Sequence, residues 1–352
     1  MHRLSLFAPA ALIFVLQASA LAARPAPPVH EEAPVTAGTF SVYMENDLFG
    51  GTDRYYTSGV KIGWSSADLE KFSDTPYASP LLPLINLLTF IPEGTQKNLV
   101  FAFGQNIYTP DDTESEEVVE GDRPYAGWLY AGFGLVWKHA AVRHSLVLNL
   151  GVVGSYSYGE EAQRLVHEAR GLGMPRGWDN QLHNEIGVLA TYQVTGRWPH
   201  QPERKGFDWE VLPHAGLALG NVEVSARAGA EWRAGINLPD DFGTATIAPG
   251  DTTPTPVEGT QQAARVRKFD IGAYVFARAE GRVVAHNIFL NGNTFGDSHS
   301  VDQRWVVADL SVGTAFNYKN TKFTYALVYR TKEFEGQEEG QVFGSISVNF
   351  AF

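Results

Sequence analysis

The stretch V-F-G-S-I-S-V-N-F-A-F, from Val342 to Phe352, decides the fold. Val342, Ile346, Val348, Phe350 and Phe352 share one parity, broken only by Gly344, while Ser345, Ser347 and Asn349 share the other. Successive side chains of a strand point to opposite faces, so this strand has one apolar and one polar face and stops on an aromatic. One such strand suits the edge of a soluble sheet. The same pattern repeated along a chain predicts a barrel standing in lipid.

The repetition is there. Val60, Ile62 and Trp64 oppose Lys61, Gly63 and Ser65. Leu146, Leu148, Leu150 and Val152 oppose Ser145, Asn149 and Gly151. Ile186, Val188, Ala190, Tyr192 and Val194 alternate with Glu185, Thr191 and Gln193, and two further segments, around Leu310 and Tyr325, behave alike. Strands are predicted over 39–47, 56–66, 97–108, 125–138, 143–154, 184–197, 207–220, 222–236, 268–280, 304–318, 321–334 and 340–352. The fold class is therefore all-β, a transmembrane antiparallel β-barrel of about 12 strands with a short helix in an extracellular loop. Closure is required because lipid cannot satisfy an open sheet edge. With both termini in the periplasm, outside connections fall near 47–56, 109–124, 155–183, 221, 281–303 and 335–339. The Pro-, Thr- and Gly-rich segment 237–267 is expected in the periplasm.

Composition agrees. The 352 residues carry 39 acidic against 27 basic side chains, net charge −12, which speaks against nucleic acid as a partner. There is no cysteine, so disulfides and thiolate metal sites are excluded and any metal must take oxygen or imidazole ligands. Fourteen Tyr and 8 Trp suit the aromatic girdles of a membrane barrel. A monomer is expected.

The N-terminus reads as a targeting segment. His2 and Arg3 precede an apolar run, Leu4 to Leu16, and the small residues Ala18, Ala20, Ala22 and Ala23. A signal peptide over 1–23, a loose Pro- and Ala-rich leader over 24–37 and a barrel over 38–352 follow. Leu81 to Ile91 is apolar but short and holds Pro83, so it is expected to lie against the membrane surface.

Two groups of polar residues converge on one rim. Glu160 to Arg170 is predicted helical, with Ala162, Leu165, Val166 and Ala169 as an apolar stripe and Gly171 as the stop. The stripe is expected to lean on the barrel rim or on acyl chains. Gln163 and His167, four apart, share a face beside it. Imidazole titrates near pH ~6.5 in the absence of perturbation and can take a proton from water, although a surface histidine on a loop helix has the same sequence. The second group is Asn46 and Asp47 at the end of the first strand, with Thr57 at the start of the second. The Asn46 and Asp47 oxygens suit calcium, and a cation beside an ester carbonyl would stabilise an oxyanion. Asn-Asp followed by Gly50-Gly51 is equally good turn chemistry. There is no G-x-S-x-G elbow and no H-E-x-x-H motif. The acidic run from Asp111 to Glu120 reads as a solvated loop.

The order of several pieces resembles the LpxR-type outer-membrane lipid A deacylases: S-V-Y-M-E-N-D (41–47), Y-T-S-G (56–59), G-Q-N-I-Y-T-P (104–110), G-D-R-P-Y-A-G-W-L-Y (121–130), Q-R-L-V-H (163–167) and W-D-N-Q-L-H-N-E (178–185). The resemblance runs from about Phe40 to the C-terminus. It implies calcium-dependent removal of the ester-linked acyl group at the 3'-position of lipid A, part of lipopolysaccharide, with the site facing the outer leaflet. His167 would be the base that activates water, Asn46 and Asp47 would lie near the cation and the oxyanion, and Thr57 and Gln163 would position the site.

Two departures stand out. Family members can carry a glutamate six residues after the histidine, where this chain has Gly173, with Glu168 as a substitute carboxylate. They can also carry basic residues after the Y-T/S-P piece, where this chain has Asp111-Asp112, an arrangement better suited to a head group without phosphate. The alternatives are a barrel that is inactive or a pore, and an outer-membrane phospholipase with a serine nucleophile such as Ser58 or Ser155.

Overall fold

The structure is a computed structural model that describes residues 38–51, 54–81, 85, 91–92, 94–139, 141–199, 206–247 and 271–352. The expected signal peptide, the leader and most of the Leu81–Ile91 segment lie outside these residues.

Twelve strands form: β1 Gly38–Asn46, β2 Tyr55–Ser66, β3 Gln96–Thr109, β4 Ala126–His139, β5 Val142–Val153, β6 Glu185–Gly196, β7 Phe207–Gly220, β8 Glu223–Ile236, β9 Ile271–Asn287, β10 Val306–Tyr318, β11 Thr321–Arg330 and β12 Gln341–Ala351. Each pairs antiparallel with its sequence neighbour, and β1 closes on β12 with Thr39 opposite Ala351 and Asn46 opposite Gly344. No helix among the described residues is long and apolar enough to cross a membrane.

Parity explains the closure. On β12, Val342, Ile346, Val348 and Phe350 face out, while Phe343, Ser345, Ser347 and Asn349 are buried inside. On β2, Val60 and Ile62 are exposed outward and Lys61 is buried, its ammonium 4.5 Å from the Tyr43 ring centroid. The exterior is apolar and the lumen polar, the inverse of a soluble sandwich. Exposed aromatics gather near both rims, with Trp198, Phe207 and Trp209 at one and Trp305 and Tyr329 at the other.

Strand limits shift where the lumen is charged. The ninth strand, expected over 268–280, runs from Ile271 to Asn287 because Arg282 faces inward beside outward Val283. The eleventh stops at Arg330, since Glu333 turns over the rim to meet Arg123 at 3.2 Å.

The segment after β8 corrects the expectation for 237–267. It leaves the barrel end where β1 starts and β12 ends, but its stretch Leu238 to Ile247 turns into the lumen and is largely buried there. Asp241 receives Arg233 Nη1 at 2.6 Å, Lys322 Nζ at 2.7 Å and the Gly243 N–H at 3.1 Å. The Thr244 N–H donates to Glu231 at 3.0 Å, Lys61 donates to the Thr246 carbonyl at 2.6 Å, and the Ile247 N–H donates to Glu45 at 3.0 Å. Proline, threonine and glycine read as a loop, yet the segment is held by lumen charges and by apolar contacts of Leu238 with Tyr274 and Phe276 and of Ala245 and Ile247 with Tyr43. Residues 248–267 lie outside the described residues.

Candidate active site at the long-loop rim

The opposite end of the barrel carries the long loops, and the connection from β5 to β6 holds α1, Gly159–Arg170. Glu160 and Glu161 stand in its first turn and Arg170 in its last, as the dipole favours. Gly171 ends it at φ 67°, a left-handed conformation that glycine adopts without strain. The helix start lies against β4 at Gly127, where an added Cβ would come within 2.0 Å of Ser157 Oγ. That close approach needs glycine.

The orientation of α1 decides between the two supports expected for its apolar stripe, against the rim. Its buried residues are Gly159, Gln163 and His167, the polar face. Of the apolar stripe only Ala162 touches protein, beside Ile107, Tyr125 and Trp178. Leu165 is 68 % exposed, and Val166 and Ala169 also point away from the barrel. The apolar side does not lean on the rim, because the polar side finds hydrogen bonds there and the apolar side faces outward, where a barrel in a membrane meets lipid.

Both buried side chains on α1 are held. Trp178 Nε1 donates to Gln163 Oε1 at 2.8 Å, and the indole packs on Tyr125 with ring centroids 5.0 Å apart. Gln163 Nε2 is buried with no hydrogen-bond partner among the described residues. His167 Nδ1 lies 2.5 Å from the Gly173 carbonyl. A carbonyl only accepts, so Nδ1 carries a proton, and in the neutral imidazole Nε2 then holds the lone pair. Gly173 therefore meets the imidazole through its backbone carbonyl. Glu168 is exposed, on the far side of the helix from the imidazole.

Asn46, Asp47 and Thr57 are brought together at the β1–β2 rim. Asp47–Gly50 is a short 3₁₀ turn, and Asn46 caps it by accepting the Leu48 N–H at 2.9 Å. Asn46 Nδ2 donates to the Thr57 carbonyl at 3.1 Å. Asp47 is fully buried and accepts the Arg54 N–H at 2.6 Å. The turn reading was thus right for Asn46, but a turn alone does not require a buried carboxylate. The Thr57 hydroxyl is 2.7 Å from that of Thr109 at the end of β3.

Strand β3 links the two groups. Thr109 meets Thr57, Ile107 lies under Trp178 and Ala162, and Gln105 Nε2 donates to the Ser157 carbonyl at 2.6 Å just before α1. The Q-N-I-Y-T piece is the strip along which the helix and the β1–β2 turn are set.

The surrounding loops are acidic and interlocked. Arg54 pairs with Asp111 at 2.8 Å and also with Glu339. Burial works against the charge of Arg54, but these carboxylates outweigh it and raise its pKa. Burial raises the pKa of Asp122, against the lowering by the N–H groups of Asp111 and Arg123. Sequence reasoning missed Tyr125, Trp178 and Gly173 as the supports of the helix. The first two lie in quoted motifs, whereas a backbone carbonyl leaves no sequence signal.

The side-chain donors of Asn46, Asp47 and Thr57 are oxygens, which suit calcium rather than zinc. The only charge among them is Asp47, and no three His, Cys, Asp or Glu cluster as a metal site among the described residues. Calcium fits by donor type, with neutral oxygens and water completing a shell of 6–8.

A closed barrel with an apolar exterior, a polar lumen and long loops at one rim defines an outer-membrane β-barrel. The family described as outer membrane protein LpxR matches residues 6–352, and the chain belongs to that family. Among solved structures, LpxR from Salmonella typhimurium matches with a TM-score of 0.68 at 22 % identity, covering 89 % of this chain and 100 % of that one. The translocator domain of the autotransporter NalP from Neisseria meningitidis matches at a TM-score of 0.36 and 9 % identity, covering 98 % and 96 %. No curated protein matches.

Proposed function

We propose that this protein is a calcium-dependent esterase that removes an ester-linked acyl chain from lipid A in the outer leaflet. The observation that carries the reading is the buried polar face of α1 at the long-loop rim, where a backbone carbonyl accepts from His167 Nδ1 beside Gln163.

The chemistry follows from those groups. Nε2 of His167 takes the proton of a water as that water attacks the ester carbonyl, and returns it to the departing sugar hydroxyl. The Gly173 carbonyl keeps the ring in one tautomer and steadies the imidazolium that forms. Gln163 positions α1 through Trp178 and keeps an N–H pair for substrate or water. Asn46, Asp47 and Thr57 would hold the calcium ion, which supplies positive charge for the developing oxyanion. The exposed apolar side of α1 gives acyl chains a surface, so the substrate stays in the membrane. The acidic rim favours head groups that lack phosphate.

The rivals have less support. Leu238–Ile247 occupies the lumen that a pore would need. Ser155 exchanges hydrogen bonds with Asn184 and not with a histidine, which leaves it without a base.

Mass spectrometry of lipid A from cells with and without the protein tests the reading. A lost hydroxy-acyl or acyloxyacyl mass, abolished by a calcium chelator and restored by calcium, is expected. Unchanged lipid A, or labelling of the protein by a serine-directed fluorophosphonate, contradicts it.

A further inference from the structure

Inside the barrel, beside the lumen segment, lies a cavity of about 90 Å³ that opens to solvent. It does not include His167, Asn46, Asp47 or Thr57. Two aromatic pairs line it. Tyr108 stacks on Phe289 with centroids 4.2 Å apart, and Trp128 stacks on Tyr130 at 4.3 Å.

The charges around it cancel: Glu45, Glu223 and Glu333 against Lys61, Arg282 and Arg330. Most are already engaged. Glu45 accepts from Tyr56 and the Ile247 N–H, Glu223 from Arg227, Glu333 from Arg123, and Arg330 is forked onto Asp309 at 2.9 and 3.0 Å. Unused hydrogen-bonding capacity remains at three lining side chains, Asn106, Trp128 and Arg282, each more than nine-tenths buried. Among the described residues Asn106 Oδ1 has no donor, and Trp128 Nε1 and Arg282 Nε and Nη2 have no acceptor within hydrogen-bond geometry. Arg282 meets Asp309 only at 3.5 Å. A buried polar atom without a partner is costly and marks a place where a ligand or water completes the set.

We propose that this cavity binds a small, uncharged, polyhydroxylated molecule such as a monosaccharide. A hydroxyl donates to Asn106 and another accepts from Arg282, which one sugar ring does and a simple ion does not. The apolar faces of the ring lie against the stacked aromatics. Neutral lumen charge disfavours a ligand of either sign. The ligand is a free sugar, because the closed wall bars the acyl chains that a lipid-linked sugar would bring.

The test uses the full chain in lauryldimethylamine oxide micelles, whose head group is not a sugar, titrated by calorimetry with D-glucose, D-galactose, octyl glucoside and inorganic phosphate. Saturable binding of a free sugar at about 1–10 mM is expected. Asn106→Leu should weaken it about tenfold or more. Ala102→Phe, which puts a ring into the cavity from β3, should abolish it. Heat-modifiable migration in electrophoresis reports that each variant folds, and a single folded variant is enough for the test. No saturable binding by either free sugar up to about 100 mM overturns the proposal. So does equal affinity in a folded variant, tighter binding of phosphate, or binding of octyl glucoside alone.

Discussion

Two polar regions of this barrel are buried to the same degree and built on opposite plans. In the lumen, Asp241 is met by a guanidinium, an ammonium and a backbone N–H, and Arg233 reaches Glu210, Asp241 and the Pro239 carbonyl. At the rim, His167 rests on a backbone carbonyl and Gln163 on one indole N–H, with its own N–H pair unused. A saturated network holds a segment in place, since any lost partner leaves a buried charge. An unsaturated one keeps capacity for a substrate. The difference separates structural polarity from functional polarity without reference to residue type.

The contrast makes ordered predictions. Asp47→Asn keeps an acceptor for the Arg54 N–H but removes the charge, and should lower deacylation about 10³-fold; near-normal turnover would remove Asp47 from the rim chemistry. Asp241→Ala should cost about 3 kcal/mol of stability in denaturant unfolding from lipid vesicles, while deacylation changes by less than threefold, about 0.6 kcal/mol. A large loss of turnover with unchanged stability would reverse the two roles. Gln163→Leu should cost about 1–2 kcal/mol in docking of α1, seen as faster hydrogen exchange in that helix with the strands unchanged. Leu165→Asp, on the outward side of α1, should move stability by less than about 0.5 kcal/mol but raise KM for a lipid substrate several-fold. An unchanged KM would separate that face from acyl contact.

Much of the barrel was legible because parity is a local property. Val342, Ile346 and Val348 announce their face whatever the partner strand is. Limits failed where a lumen charge imitates a loop, as at Arg282 in β9. The lumen segment could not be read, because Asp241 finds Arg233 and Lys322 only after the barrel closes. The helix was legible in extent but not in orientation. An apolar stripe announces burial against something, and in a membrane protein that something can be lipid. Asn46, Asp47 and Thr57 were readable as rim neighbours from strand order, whereas Gly173 acts through its carbonyl, which every residue carries.

The central claim is that the imidazole on the buried polar face of α1 activates water against a lipid ester. Mass spectrometry of lipid A from cells with equal amounts of assembled wild-type and His167→Ala protein tests it most directly. The account predicts that an acyl mass disappears with the wild type and persists in full with His167→Ala. Equal loss of that mass with both proteins would contradict it.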